Sequence, residues 1–397
     1  MLTHFSIEGF KSFGSPASRV SLEPLTFLVG ANASGKSNLV GALRFLRQCF
    51  LHGVEVAVNE LDGCREVRNR IQRAKPFIIS LSASDLPVKF DNGVSYHVKS
   101  ARYALSLDLR SDDGHAKVAS EQLHVALVSE SDEIIYKLTR TGLTVTIHDP
   151  LAQDRPPEHS FELYPQEADR LVAANGLAGL GAILFREYVC GWRFFNVAPG
   201  LARQSARESA GNELGENGEN LSVVLNDIQR TEPALLNEIC ERVSGSVPGF
   251  ETVRPIRSDI EGKWTFQVVE RRIGGGLNPR SISDGTVRLL TLMVIAAWVS
   301  RKATLICIEE PENGVHPHLA ESFVSALRTV SAERQFLVTT HSPSFLDYLQ
   351  PEELLLVDKK EGLTEVRRAA DHTDIKVFVK KFTLGDLWLQ GELEGIP

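Results

Sequence analysis

The octet Gly30-Ala31-Asn32-Ala33-Ser34-Gly35-Lys36-Ser37 constrains this chain more than any other stretch. Before it runs Leu25-Thr26-Phe27-Leu28-Val29, which reads as a buried strand. After it, Leu39, Val40, Leu43, Leu46 and Phe50 recur on one helical face. Strand, glycine-bounded loop, then Lys-Ser opening a helix is the context a phosphate loop requires. Gly30 and Gly35 allow a tight turn and close approach to a ligand. The amides of Ala31, Asn32, Ala33 and Ser34 and the helix N-terminus would aim partial positive charge at a polyphosphate. Lys36 would reach its β- and γ-phosphates, and Ser37 would offer its hydroxyl to Mg²⁺. A chance match in a chain of this length is on the order of one per cent by ordinary residue frequencies. The octet is read as a nucleoside triphosphate site.

Composition sets outer bounds. The 397 residues suffice for two or three subdomains, and 43% hydrophobic with 24% charged residues is ordinary for a globular protein. The longest apolar run, Leu289 to Val299, is too short for a bilayer and predicts a buried helix. The N-terminus lacks a charged leader followed by an apolar core. Five scattered cysteines, never in CxxC spacing, point to reduced thiols, so a cytoplasmic location without membrane association is expected. The net charge of −8 does not favour a dedicated nucleic-acid binder. The locally basic stretch, Cys64 to Lys75, is either a solvated face or a phosphate-binding patch.

From Phe77 to Ile147 apolar residues alternate with period two. Turn signals at Asp91-Asn92-Gly93, Asp112-Asp113-Gly114 and Thr141-Gly142 make this an antiparallel meander. Asp149 to His159 reads as a proline-rich linker. Helical spacing follows at Leu221, Val224, Leu225 and Ile228, then at Leu235, Leu236, Ile239 and Val243 behind a Thr231 N-cap. The polar stretch Ser205 to Asn220 predicts a mobile loop. After Gly274-Gly275-Gly276 the pattern is α/β: strands at Ala303–Ile308 and Gln335–Thr340, a helix between them, and a final strand pair at Leu354–Val357 and Leu363–Val366.

Three later segments complete the site. Ile306-Cys307-Ile308-Glu309-Glu310 is a strand ending in carboxylates. Phosphoryl transfer to water needs an anion for Mg²⁺ and a group to orient the attacking water. Glu309 is assigned to the metal shell and Glu310 to the water; the plain alternative is an acidic turn. Ser283 has N-cap chemistry and Gly285 keeps that helix start uncovered, for a second phosphate or for capping alone. His341, after the Gln335–Thr340 strand, is either structural or a hydrogen-bond donor to a γ-phosphate.

Taken in order, these segments resemble the ABC-type ATPase heads of the RecF/SMC-like branch. Gly30 to Ser37, with Asn32 and Asn38, resembles Walker A, and Ser281 to Arg288 the signature motif. Ile306 to Glu310 resembles Walker B with its catalytic glutamate, Glu312-Asn313-Gly314 the D-loop, and His341 the switch histidine. Ile7 to Phe13 resembles the branch's N-terminal strand, where Lys11 and Ser12 would lie near the nucleotide. Asp284 and Thr286 depart from the usual signature, and Glu309 from the Walker B aspartate. These variants resemble stand-alone bacterial ATPases related to the OLD family. No Q-loop is placed, Gln72 being the nearest candidate. No Glu with a downstream Asp-x-Asp follows His341, so a chain without its own TOPRIM nuclease is expected.

The resemblance implies an α/β ABC-type ATPase head: a mixed or parallel phosphate-loop sheet, an antiparallel β lobe and a helical insertion. The expected division is 1–150 as the first ATPase lobe, 151–270 as a mainly helical insertion, and 271–397 as the second lobe. It further implies ATP and Mg²⁺, with Lys36, Glu310 and His341 catalytic and Ser37 and Glu309 at the metal. A homodimer would sandwich each ATP between Walker A of one head and Ser283 and Gly285 of the other. Three roles are consistent with that: a switch in anti-phage defence acting on a separately encoded nuclease or toxin, a RecF-type DNA repair ATPase, or a transporter ATPase subunit.

Overall fold

Six strands form the sheet that carries the octet, in the order Trp192–Phe195, Leu305–Glu309, Phe336–Thr340, Leu25–Val29, Leu354–Lys360, Leu363–Arg368. In this computed structural model the described residues are 1–89, 95–110, 115–128, 133–152, 155–258, 262–272, 275–314 and 316–393. The turn signals at 91–93 and 112–114, residues 153 and 154 of the expected linker, and Gly274 lie outside them.

All neighbouring pairs in this sheet are parallel except the last, a hairpin. Leu25–Val29 and Phe336–Thr340 are buried at every position, as strands covered on both faces must be. Register decides what happens at the sheet's end. Val29 pairs with Thr340, and Thr339 pairs with Glu309. The chain therefore leaves three adjacent strands side by side at Gly30, His341 and Glu310. Open parallel sheets bind ligands in this position, beyond the strands' carboxyl ends.

The helix Lys36–His52 leaves the octet directly, and the five apolar residues expected on one face are all buried. Its Phe45 ring packs edge-on to Phe77 at 5.3 Å between centroids, and Phe10 lies 5.6 Å from Phe77. These rings join the helix to an antiparallel sheet of eight strands. Its order is Ser18–Ser21, Leu2–Glu8, Phe77–Lys89, Ser95–Asp108, Lys117–Val128, Glu133–Thr141, Thr144–His148, Glu158–Glu162. The alternation seen in sequence becomes an inward set, including Ile79, Leu81, Tyr103, Leu105, Leu123 and Leu138.

Residues 151–270 differ from the mainly helical expectation. They hold the helices Leu180–Cys190, Leu221–Thr231 and Pro233–Ser246, but Trp192–Phe195 is an edge strand of the central sheet. Phe250–Arg257 and Lys263–Glu270 form an antiparallel hairpin. The four-residue strand Trp192-Arg193-Phe194-Phe195 is too short to show a period, and Arg254, Pro255 and Arg257 obscure the alternation of the hairpin. The linker gives way at Glu158–Glu162, which adds an edge strand through backbone pairing. Thr231 is not an N-cap. It is the last residue of Leu221–Thr231, its hydroxyl donating to the Asp227 carbonyl at 2.7 Å, and Glu232 precedes the next helix. The stretch Ser205–Asn220 is closed on itself by buried Asn220, which donates to the Gly211 and Glu213 carbonyls and accepts from the Gly215 N–H.

The apolar run from Leu289 belongs to the helix Asp284–Ala297, buried continuously from Thr286 to Ala296 between the helices Pro233–Ser246 and Leu319–Ser331. Among the described residues no helix is long and apolar enough to cross a membrane.

Candidate functional site

The octet closes as a cradle. A side chain at Gly30 would collide with the Val357 carbonyl at 2.1 Å, and one at Gly35 with Thr364 Oγ1 at 2.1 Å. Gly35 also has φ +119, and Ala33 sits in the left-handed region at φ 64. A left-handed residue within a tight turn gathers successive N–H groups into a concavity suited to an anion. Ser34 Oγ is buried inside it without a hydrogen-bond partner. The Lys36 ammonium lies over the loop, donating to the Gly30 and Ala31 carbonyls at 2.5 and 2.9 Å. Burial pulls its pKa down, against Glu310 and Glu312.

The N-terminal strand meets this loop from the side. Ser12 Oγ accepts from the Asn38 amide at 2.7 Å and lies 2.7 Å from Thr364 Oγ1. Thr364 also donates to the Ser34 carbonyl at 2.7 Å. Lys11 is left-handed at φ 45, with its backbone held by Val67 and Asn69 and its ammonium 5.6 Å from the Phe10 ring. Half-burial lowers its pKa, opposed by Glu66 and Asp62. Gln72 is committed elsewhere, exchanging both amide atoms with the Ser15 backbone.

The two acids take different postures. Glu309 ends its strand with a side chain 17% exposed. Burial pushes its carboxyl up, while Arg44 and a hydrogen bond from Ser37 pull it down. A serine hydroxyl already in contact with a carboxylate is a donor pair that fits Mg²⁺. Such an ion keeps most of its shell as water and phosphate oxygen. Among the described residues no cluster of three His, Cys, Asp or Glu could hold a metal unaided. Arg44 bridges Glu309 at 3.3 Å to Glu216 at 3.0 Å and stacks on Phe194.

Glu310 lies in the left-handed region at φ 46, unusual for a residue with a side chain. Its N–H donates to the Thr339 carbonyl, its carbonyl accepts from Arg288, and its carboxylate accepts from the Asn313 amide at 2.7 Å. Arg288, 7% exposed, thereby ties the Ser283 helix to the acidic loop. His341 follows Thr340, its Nδ1 3.2 Å from Glu312 Oε1.

Lys36, Ser37, Glu309, Glu310 and His341 thus converge at one end of one sheet, with Ser12 and Asn38 alongside. Ser283 and Gly285 do not join them within the chain. Ser283 Oγ accepts from the Thr286 N–H at 3.2 Å, the cap its sequence predicts. Among the described residues no hydrogen bond or ion pair links Ser283 or Gly285 to the octet. Sequence reasoning missed Thr364, 330 residues from the carbonyl it holds, which no local pattern could reveal. Arg44 was within reach: it follows Ser37 by two helical turns and so shares its side.

Residues 25–170 and 193–347, well over half of the chain, match the family described as "AAA domain, putative AbiEii toxin, Type IV TA system". The chain belongs to this AAA-domain family. It is also 24% identical over 400 residues to the Old nuclease of Escherichia phage P2, across 92% of this chain. The match spans 61% of that relative's length. The fold is that of an SMC head. A crystal structure of the SmcHead bound to the C-winged helix domain of ScpA superposes with a TM-score of 0.50, at 15% identity, over 92% of this chain and 97% of that one. The SMC head domain from Thermotoga maritima gives 0.44 at 16% identity, over 92% and 98%. This AAA-domain protein therefore has the fold of an SMC head and is similar in sequence to the Old nuclease.

Proposed function

We propose that this AAA-domain protein hydrolyses ATP as a head-to-tail homodimer whose closure is gated by nucleotide. The observation that carries the reading is the convergence of Lys36, Ser37, Glu309, Glu310 and His341 where three strands end together. The octet amides and Lys36 bind the triphosphate. Ser37 and Glu309 hold Mg²⁺, which supplies charge neutralisation between the phosphates. Glu310 takes a proton from the attacking water, its carboxylate aimed by the left-handed backbone and steadied by Asn313. His341 donates a hydrogen bond to the γ-phosphate as charge develops. Ser283 and the Gly285 amide of the twin bind the same γ-phosphate from the other side, so ATP favours the closed pair through a contact absent after hydrolysis. Lys11 and Ser12 lie against the nucleotide from the N-terminal strand.

The helices of residues 151–270 pass closure to a partner, with the lobes at 1–150 and 271–397 moving as its two faces. We infer a separately encoded effector, a nuclease or toxin of anti-phage defence. The family's toxin–antitoxin description and the phage nuclease relative support this reading. Turnover of Mg-ATP by the parent and Glu310→Gln tests the ATPase core. The variant should keep ATP binding, lose about 1000-fold in kcat, and elute as a dimer in ATP. Parental turnover in Glu310→Gln contradicts the assignment. Co-purification with the product of a neighbouring reading frame tests the effector.

One observation favours a second reading, direct DNA binding. Arg65, Arg68, Arg70 and Arg73 line one cavity of about 590 Å³. Duplex affinity falling steeply with salt supports it, and no binding at low salt removes it.

A further inference from the structure

One carboxylate at this end of the sheet has no part in holding phosphate, metal or water. Glu312 lies two residues past Glu310, with a side chain only 8% exposed. Its Oε1 accepts from the Thr340 hydroxyl at 2.8 Å and from the His341 N–H at 2.7 Å, and lies 3.2 Å from His341 Nδ1. The Thr340 hydroxyl in turn accepts from the Ser342 N–H at 3.0 Å. Glu312 is thus fixed to the chain on both sides of the histidine, while the imidazole itself is 44% exposed. Its second oxygen, Oε2, is buried without a hydrogen-bond partner. The charges facing it are Lys36 from the octet helix and Arg288 from the Ser283 helix, with Glu310 close to both.

A simple brace for the turn would spend both oxygens on backbone groups. Here one oxygen takes both hydrogen bonds, from the Thr340 hydroxyl and the His341 N–H, and also lies beside the His341 ring. We propose that Glu312 is the positioning residue of His341: anchored by Thr340 and the His341 backbone, it holds the ring through Nδ1 and leaves Nε2 to act on the triphosphate. A carboxylate acceptor at Nδ1 keeps the proton there, which fixes both the tautomer and the orientation of the ring. When the ring carries both protons, Nδ1 faces the carboxylate and Nε2 has a proton to donate. His341 stands between the strand leading to Gly30 and the strand leading to Glu310, so small rotations of a free ring would move Nε2 away from both.

The inference rests on the ATPase reading, and its test separates the two. Glu312→Gln keeps the size of the side chain and removes its charge. It should lower kcat by about 10- to 100-fold and leave KM for ATP within about twofold. Added to His341→Ala, the same substitution should cost nothing further in kcat. Equal losses with and without His341 overturn the proposal while leaving the ATPase reading intact. A parent that binds but does not turn over ATP defeats the ATPase reading instead. The ring is then read directly from nitrogen spectra of protein labelled with ¹⁵N-histidine, His341 being assigned by its loss in His341→Ala. The parent should show Nδ1 protonated and Glu312→Ala should lose that preference; the same tautomer in both overturns the proposal.

Discussion

Two regions of this molecule bury carboxylates, and they treat them in opposite ways. In the antiparallel sheet, Glu121 is fully buried and accepts from the Tyr103 hydroxyl at 3.0 Å and from the Val172 and Ala173 N–H groups at 2.8 and 3.0 Å. Both oxygens are occupied, and they pin the 171–173 segment to the sheet. At the end of the central sheet, among the described residues, Glu309 is met by Ser37 and Arg44, and Glu312 keeps one oxygen without a partner. Glu310 is held in a backbone conformation that side chains disfavour. A satisfied buried acid is architecture. An acid left incomplete beside a phosphate cradle is held ready for a ligand.

The comparison can be broken by substitutions on either side. Lys36→Ala removes the buried cation of the cradle, and ATP affinity should fall about 100-fold or more with the unfolding midpoint barely moved; titration calorimetry reads the first and a thermal scan the second. Glu121→Ala should do the reverse. Three buried donors lose their acceptor, costing about 3 kcal/mol in a urea titration, while the remaining folded protein binds ATP as before. Should Glu121→Ala instead weaken ATP binding at unchanged stability, the division between the regions fails. Thr364→Val is a gentler probe, taking one hydrogen bond from the Ser34 carbonyl. About 1 kcal/mol, roughly fivefold in ATP affinity, is its expected effect.

The smallest effect is in pH. Burial raises the Glu121 carboxyl above the ordinary range, against its hydrogen bonds from Val172, Ala173 and Tyr103. The folded state therefore holds its proton to higher pH than the unfolded chain does. Stability from this group is gained as pH falls through its folded pKa, down to the ordinary carboxylate range. The stability of the parent relative to Glu121→Gln should rise as pH falls from above the raised folded-state pKa toward the ordinary carboxylate range. A constant difference contradicts the assigned shift.

The same contrast explains what was legible in the sequence. The octet, its strand and its helix were readable because each is a short run whose period and glycine placement state its conformation. Glu309, Glu310 and His341 could be found because each ends an apolar run. The eight-stranded sheet announced itself by alternation. Trp192–Phe195 was not legible, since three apolar residues around Arg193 fit a strand or a helix equally. Thr364 was hidden for a different reason: only the tertiary fold brings it to the Ser34 carbonyl, 330 residues away in sequence. Glu312 was marked in sequence within the D-loop resemblance, but its place beside His341 comes from the parallel register of two neighbouring strands. Thr231 shows local chemistry misleading, because a threonine before Glu-Pro can close one helix as readily as open the next.

The central claim is that one protomer's cradle is completed by the serine-capped helix of its twin. Mixing Lys36→Ala chains with Ser283→Arg chains measures this directly. Each variant alone should be inactive. The mixture should recover about a quarter of parental ATP turnover, because half of the random pairs carry one intact site of two. A mixture no more active than either variant alone, or Ser283→Arg chains as active as the parent, would contradict the account.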